Sequence, residues 1–181
     1  MYRNSRYYSM LCILLVPLAV PAALKAQSRV VVDFGVAADK WLAGSFSGGG
    51  FGINLESAVG LRTGRNGYAG LGIRLWLPPE LGARKGYLLG MFVRGRHALG
   101  AEGKKWRPII GGRAGVTLYG SGGFSEPYGG TDFGVELGLQ HFVASSTLLA
   151  ITLRPSWIHF SDDPGGFTLG LGISLIAGSR Q

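Results

Sequence analysis

The sequence predicts an all-β fold in which eight antiparallel strands run up and down and close into a barrel, preceded by a leader that takes no part in it. Three observations carry this. Apolar side chains alternate with small or polar ones in segment after segment, the period-two signature of a strand with two unlike faces. Turn-forming residues interrupt the alternation at intervals of about one strand length. No stretch shows the roughly 3.6-residue period of an amphipathic helix.

The leader is read at residues 1–26. Arg3 and Arg6 give it a positive start, "MLCILLVPLAV" an apolar stretch too short to span a bilayer, and "LKA" before Gln27 a small residue for cleavage. This is the pattern of a secretory signal peptide. The single cysteine, Cys12, lies inside it, so the mature chain is expected to lack thiols, disulfides and cysteine metal sites. Residues 27–181 then have the length of one domain. Without Arg3, Arg6 and Lys25 they hold 15 basic and 10 acidic residues, a net +5 that suits an anionic surface such as phosphorylated lipid headgroups.

The first segment starts at Val30, with Val30, Val32, Phe34 and Val36 on one parity. In the second, Phe51, Ile53, Leu55, Val59 and Leu61 interleave with Gly52, Asn54, Glu56, Ala58 and Gly60. The third sets Leu71, Ile73, Leu75 and Leu77 against Gly70, Gly72, Arg74 and Trp76. The fourth, around Leu89–Val93, places Gly90, Arg94 and Arg96 on a common parity. The fifth opposes Ile110, Ala114, Val116 and Leu118 to Gly111, Arg113, Gly115 and Thr117, and the sixth Phe133, Val135, Leu137 and Leu139 to Gly134, Glu136, Gly138 and Gln140. The seventh opposes Leu149, Ile151, Leu153 and Trp157 to Ala150, Thr152, Arg154 and Ser156, and the last Phe167, Leu169, Leu171, Ile173 and Leu175 to Thr168, Gly170, Gly172 and Ser174. Each segment is roughly ten residues long, enough for a tilted strand to cross a membrane. Connections near 38–48, 78–86 and 120–130 are expected to be long, those at 63–66 and 144–146 short, and that at 99–107 intermediate. With the N-terminus in the periplasm, the long ones face outward and the short ones inward.

The polar parity decides which face is inside. A soluble barrel would present Lys, Glu, Asp and Thr to water, whereas this parity is mostly Gly, Ala and Ser, punctuated by Glu56, Arg74, Arg94, Arg96, Arg113, Glu136 and Arg154. Small residues beside long charged ones suit a narrow lumen, where the charges are tolerable only when paired. Glu56 and Glu136 are therefore expected in salt bridges with the arginines. The other parity forms a continuous band of Leu, Ile, Val and Phe, an aggregation hazard in water and the expected coat in lipid. The barrel is thus predicted to be transmembrane.

With "GFGINL", "GLGIRL", "GVELGL" and "LGLGISL" as carriers, residues 28–178 resemble the small eight-stranded outer-membrane β-barrel proteins. The resemblance implies location in the bacterial outer membrane, contact with membrane lipid and lipopolysaccharide, insertion by the barrel-assembly machinery, and a monomer. The expected role is in envelope structure or loop-mediated interaction. A lumen of about eight strands is filled by side chains, which argues against a water-filled pore.

One stretch resists absorption into this pattern. In "WIHFSDD" (Trp157–Asp163), His159 and Ser161 continue the lipid-facing parity to the strand's outer end. The motif resembles that of the lipid A 3-O-deacylases, small barrels whose His-x-Ser pair implies histidine as general base and serine as nucleophile on an acyl ester, with a carboxylate orienting the histidine. Here Asp162 follows the serine and the last strand opens "GGFTLG" without an acid, leaving Asp162 or Asp163 as candidates for that role. The other reading makes His159 an interfacial residue beside Trp157, in an aromatic girdle, and Ser161 the start of a turn.

Other chemistry finds no footing. Gly103–Lys104 lacks the surroundings of a phosphate loop, His97, His141 and His159 lack metal-ligand spacing, and no basic stripe interleaved with aromatics suggests nucleic acid. No cofactor is expected.

Overall fold

The computed structural model describes residues 30–44, 51–77, 86–101, 104–121, 128–161 and 163–178, without the side chains of Ser121, Tyr128, Asp163 and Pro164. The leader predicted at 1–26, Asp162 and the Asp163 side chain lie outside the described residues.

Eight strands follow in chain order: β1 (Val30–Gly44), β2 (Phe51–Thr63), β3 (Gly67–Leu77), β4 (Gly86–Ala98), β5 (Trp106–Ser121), β6 (Tyr128–Ala144), β7 (Thr147–Phe160) and β8 (Asp163–Gly178). Each pairs with its sequence neighbours, and β1 pairs antiparallel with β8 to close the barrel. Closure leaves no open sheet edge, as a lipid environment demands of any spanning sheet. The ladder row Val59, Leu71, Val93, Ala114, Phe133, Trp157, Phe167 leaves β1 at Val32 and returns to it at Ala43. That stagger tilts the strands against the barrel axis.

The strands exceed the expected ten residues, running from 11 residues in β3 to 17 in β6. In particular, β1 continues to Gly44 through the connection expected at 38–48. The reason is physical. Beyond the belt the outward face meets polar surroundings, so Lys40 and Gly44 need not be apolar there, while the backbone ladder with β2 and β8 goes on. The hydrophobic pattern ends before the hydrogen bonding does.

Burial alternates residue by residue, as in β4, where Leu88, Gly90, Phe92, Arg94, Arg96 and Ala98 point in and Leu89, Met91 and Val93 point out. The outward set includes Leu71 at 69 %, Met91 at 66 % and Leu171 at 61 % exposure, whereas Glu56 and Glu136 are each at 1–2 %. This is the inverse of a water-soluble protein. The glycines follow from it. Across the ladder Arg74 faces Gly90, Arg94 faces Gly70, Arg96 faces Gly111, Arg113 faces Gly134 and Arg154 faces Gly170. Every lumenal arginine named from the sequence thus has a side-chain-free neighbour over which its guanidinium can lie. Gly44 and Gly165 serve differently: with φ of 99° and 71° they take the left-handed backbone at the end of β1 and near the start of β8.

Candidate functional site

Two places gather chemistry-bearing side chains: the middle of the lumen and the barrel end that carries His159.

The lumen brings together all seven charged residues expected there. Glu56 on β2 is the hub, accepting hydrogen bonds from Arg94, Arg113 and Arg154, which reach it from β4, β5 and β7. Glu136 on β6 pairs with Arg94 Nη2 at 2.9 Å and Arg154 Nε at 3.6 Å, and accepts from Arg96 Nε at 2.5 Å. Arg74 Nη1 lies 2.5 Å from Asp132. Serines supply further acceptors, with Arg96 Nη1 donating to Ser174 Oγ and Arg113 Nη2 to Ser156 Oγ, each at 3.0 Å. Arg94 also stacks over the Phe92 ring, its Cζ 4.8 Å from the centroid.

Three lumenal acids escaped the sequence reading. Asp33 receives Arg94 Nη1 at 3.1 Å, Arg96 Nη1 at 2.9 Å and the Tyr68 hydroxyl. Asp132 joins Arg74 and lies 3.7 Å from Arg113 Nε, and Asp39 accepts from Asn54 Nδ2 at 2.7 Å. Their parity was available: Asp33 precedes Phe34 and Asp132 precedes Phe133, both on the outward face. Arg107, expected in the connection at 99–107, stands instead at the start of β5.

Apolar layers bracket this network. Towards the β2–β3 turn lie Val31, Tyr68, Ala98, Ile109, Ala150 and Ile176; towards the other end lie Trp41, Trp76, Leu88, Ile158 and Phe160. The Trp41 and Trp76 rings sit 5.4 Å apart, tilted by 54°. Ions between two apolar layers are poorly screened, so their mutual attraction is strong and an unpaired one is costly.

At the second place, His159 and Ser161 both face outward on the same side as Trp157. Ser161 leads the β7–β8 turn, and its Oγ donates to the Gly129 carbonyl oxygen at 3.1 Å, as does its backbone N–H. His159 lies opposite Thr131, at an irregularity in the β7–β8 ladder between Ile158 and Phe160. The structure thus brings histidine and serine to one face but turns the described hydroxyl bond toward backbone. At the opposite end Trp106 stacks on His141, centroids 4.7 Å apart, and His141 Nδ1 lies 2.7 Å from the Lys105 carbonyl oxygen. Among the described residues no group of three or more His, Cys, Asp or Glu is arranged to hold a metal ion.

No family model matches the chain, and no curated protein matches it. Among solved structures it is similar to Neisserial surface protein A, with a TM-score of 0.72 at 14 % identity over 82 % of this chain and 96 % of that one. The N-terminal β-barrel domain of OprF from Pseudomonas aeruginosa matches at TM-score 0.46 and 13 % identity, over 83 % and 98 % of the two chains. Ail, the attachment invasion locus protein of Yersinia pestis, matches at 0.44 and 12 %, over 84 % and 97 %. The likeness to the first is one of fold. The chain has the architecture of the small eight-stranded outer-membrane β-barrels.

Proposed function

We propose that this barrel is a resident of the bacterial outer membrane whose work is done by its envelope-facing surfaces, with a lumen that conducts nothing. One observation carries the reading: Glu56 joins arginines from three other strands across the interior, leaving ions and apolar layers where a channel would need water. Barrels of this strand number are filled by their own side chains. The apolar exterior contacts acyl chains, and the rim contacts the phosphorylated headgroups of lipopolysaccharide. The barrel inserts through the assembly machinery and works as a monomer in envelope structure or loop-mediated contact.

Lipid A ester hydrolysis is the competing reading. His159 and Ser161 share a face, but the described hydrogen bond of Ser161 Oγ goes to Gly129. A serine nucleophile needs that proton directed at a base. Mass spectrometry of lipid A from cells expressing the chain, a His159→Ala variant or neither separates the two. The proposal expects one profile in all three; loss of a hydroxyacyl chain in the parent alone would overturn it. In planar bilayers the proposal expects no steady single-channel conductance.

A further inference from the structure

The barrel end that carries the β2–β3 turn holds a cavity of about 630 Å³, open to the outside, within the size range of small-molecule pockets. Its charged lining is one-signed. Arg62, Arg65, Arg96 and Arg107 border it, and no Asp or Glu does so among the described residues. Leu148, Phe142 and Ile176 supply an apolar wall.

Arg107 is the decisive group. Its side chain is buried, at 4 % exposure, yet its hydrogen bonds among the described residues run only to backbone carbonyl oxygens: Nη2 donates to Ala98 at 3.4 Å and to Gly100 at 3.3 Å. Among the described residues its Nε has no acceptor. Arg74, Arg94, Arg96, Arg113 and Arg154 each have a carboxylate within 4 Å, so Arg107 departs from the pattern of the network it borders. A buried guanidinium without a counter-ion is costly, and carbonyl dipoles compensate only in part. An anion in the adjoining cavity would complete the pairing, and a guanidinium fork is shaped for phosphate or carboxylate.

We infer that this cavity is a binding site for a small organic anion, a phosphate or carboxylate group on a compact apolar body, with Arg107 and Arg65 holding the charge and Leu148, Phe142 and Ile176 holding the body. It lies at the end opposite His159 and stands independently of whether that pair is catalytic.

The test uses the mature chain refolded in a nonionic detergent, with backbone amide shifts followed by NMR as phenyl phosphate, benzoate, inorganic phosphate or neutral phenol is added. Saturable shifts of Asn66, Gly67, Ala98 and Gln140 with phenyl phosphate or benzoate support the site, and the tighter of the two identifies the headgroup. Inorganic phosphate is expected to bind more weakly, lacking the apolar body. Arg107→Gln is expected to weaken binding about tenfold, the worth of one charge-assisted contact. Arg65→Gln, an exposed change, is expected to weaken it roughly threefold and serves where the Arg107 variant does not refold. Equal shifts with phenol, no saturation, or unchanged affinity in the refolding variants would overturn the inference.

Discussion

Replacing Glu56 by glutamine removes one negative charge from the lumen while keeping the side chain's size and shape. Three arginines feel the loss unequally. Arg94 keeps Asp33 at 3.1 Å and Glu136 at 2.9 Å, and Arg113 keeps Ser156 at 3.0 Å with Asp132 at 3.7 Å. Arg154 is left with Glu136 at 3.6 Å. Removing one partner of a buried ion pair costs about 3–5 kcal/mol, and the surviving partners place this variant near the lower end. With a urea slope of roughly 1–3 kcal/mol per molar, the unfolding midpoint falls by about 1–3 M. The assay is urea titration of the barrel in lipid vesicles, read by the folded and unfolded bands of unboiled gel samples. Adding Arg154→Met to Glu56→Gln removes the stranded cation and is expected to recover about 1 kcal/mol or more. A Glu56→Gln midpoint displaced by less than the equivalent of about 0.5 kcal/mol, the range of an ordinary surface change, would refute the hub assignment.

Three further predictions follow from the two faces and their packing. Leu137→Arg puts a charge on the outward face of β6, at a residue 45 % exposed to the surroundings, and is expected to destabilise the barrel by about 2–4 kcal/mol in bilayers if near mid-depth, measured by the same titration. Gly138→Ala drives a Cβ into the Ile151 carbonyl oxygen and to 2.9 Å from Thr152 Cα, both backbone atoms, so a loss of about 1–3 kcal/mol or failed refolding is expected. Ser161→Ala removes one exposed hydroxyl bond to Gly129, and the expected stability change is at most about 1 kcal/mol, with lipid A mass spectra unchanged.

The strand pattern was legible because lipid and lumen impose opposite demands on successive residues. Leu71, Ile73 and Leu75 against Gly72 and Arg74 already state both faces, and the ladder places Arg74 beside Gly90 as a narrow interior requires. Strand ends were less legible. An apolar pattern marks only the lipid-contacting length, so Asp39 fell beyond the expected first segment and Arg107 before the fifth, although both belong to hydrogen-bonded strands. Asp33 lies within the first alternating segment, but nothing local marks it as paired, because its arginine partners stand 61 and 63 positions away, on β4. The pairing of Glu56 with Arg154, 98 residues apart, has no local signal; only barrel closure supplies it. At His159 the sequence places the side chain on a face, while the hydrogen bonding of Ser161 depends on Gly129, two strands' lengths back in the chain.

Whether Leu137 and Ile151 touch acyl chains while Thr152 and Arg154 lie sealed inside can be read from spin labels. The only cysteine is Cys12, in the predicted leader, so single cysteines at positions 149–154 can each be introduced into residues 27–181, labelled and reconstituted in vesicles. Power-saturation measurements then report collision with oxygen, which enters lipid, and with a water-soluble nickel chelate. Labels at 149, 151 and 153 should collide strongly with oxygen and weakly with nickel, alternating with low oxygen access at 150, 152 and 154. The opposite phase, with position 151 shielded from oxygen and 152 reached by nickel, would mean that the two faces are reversed.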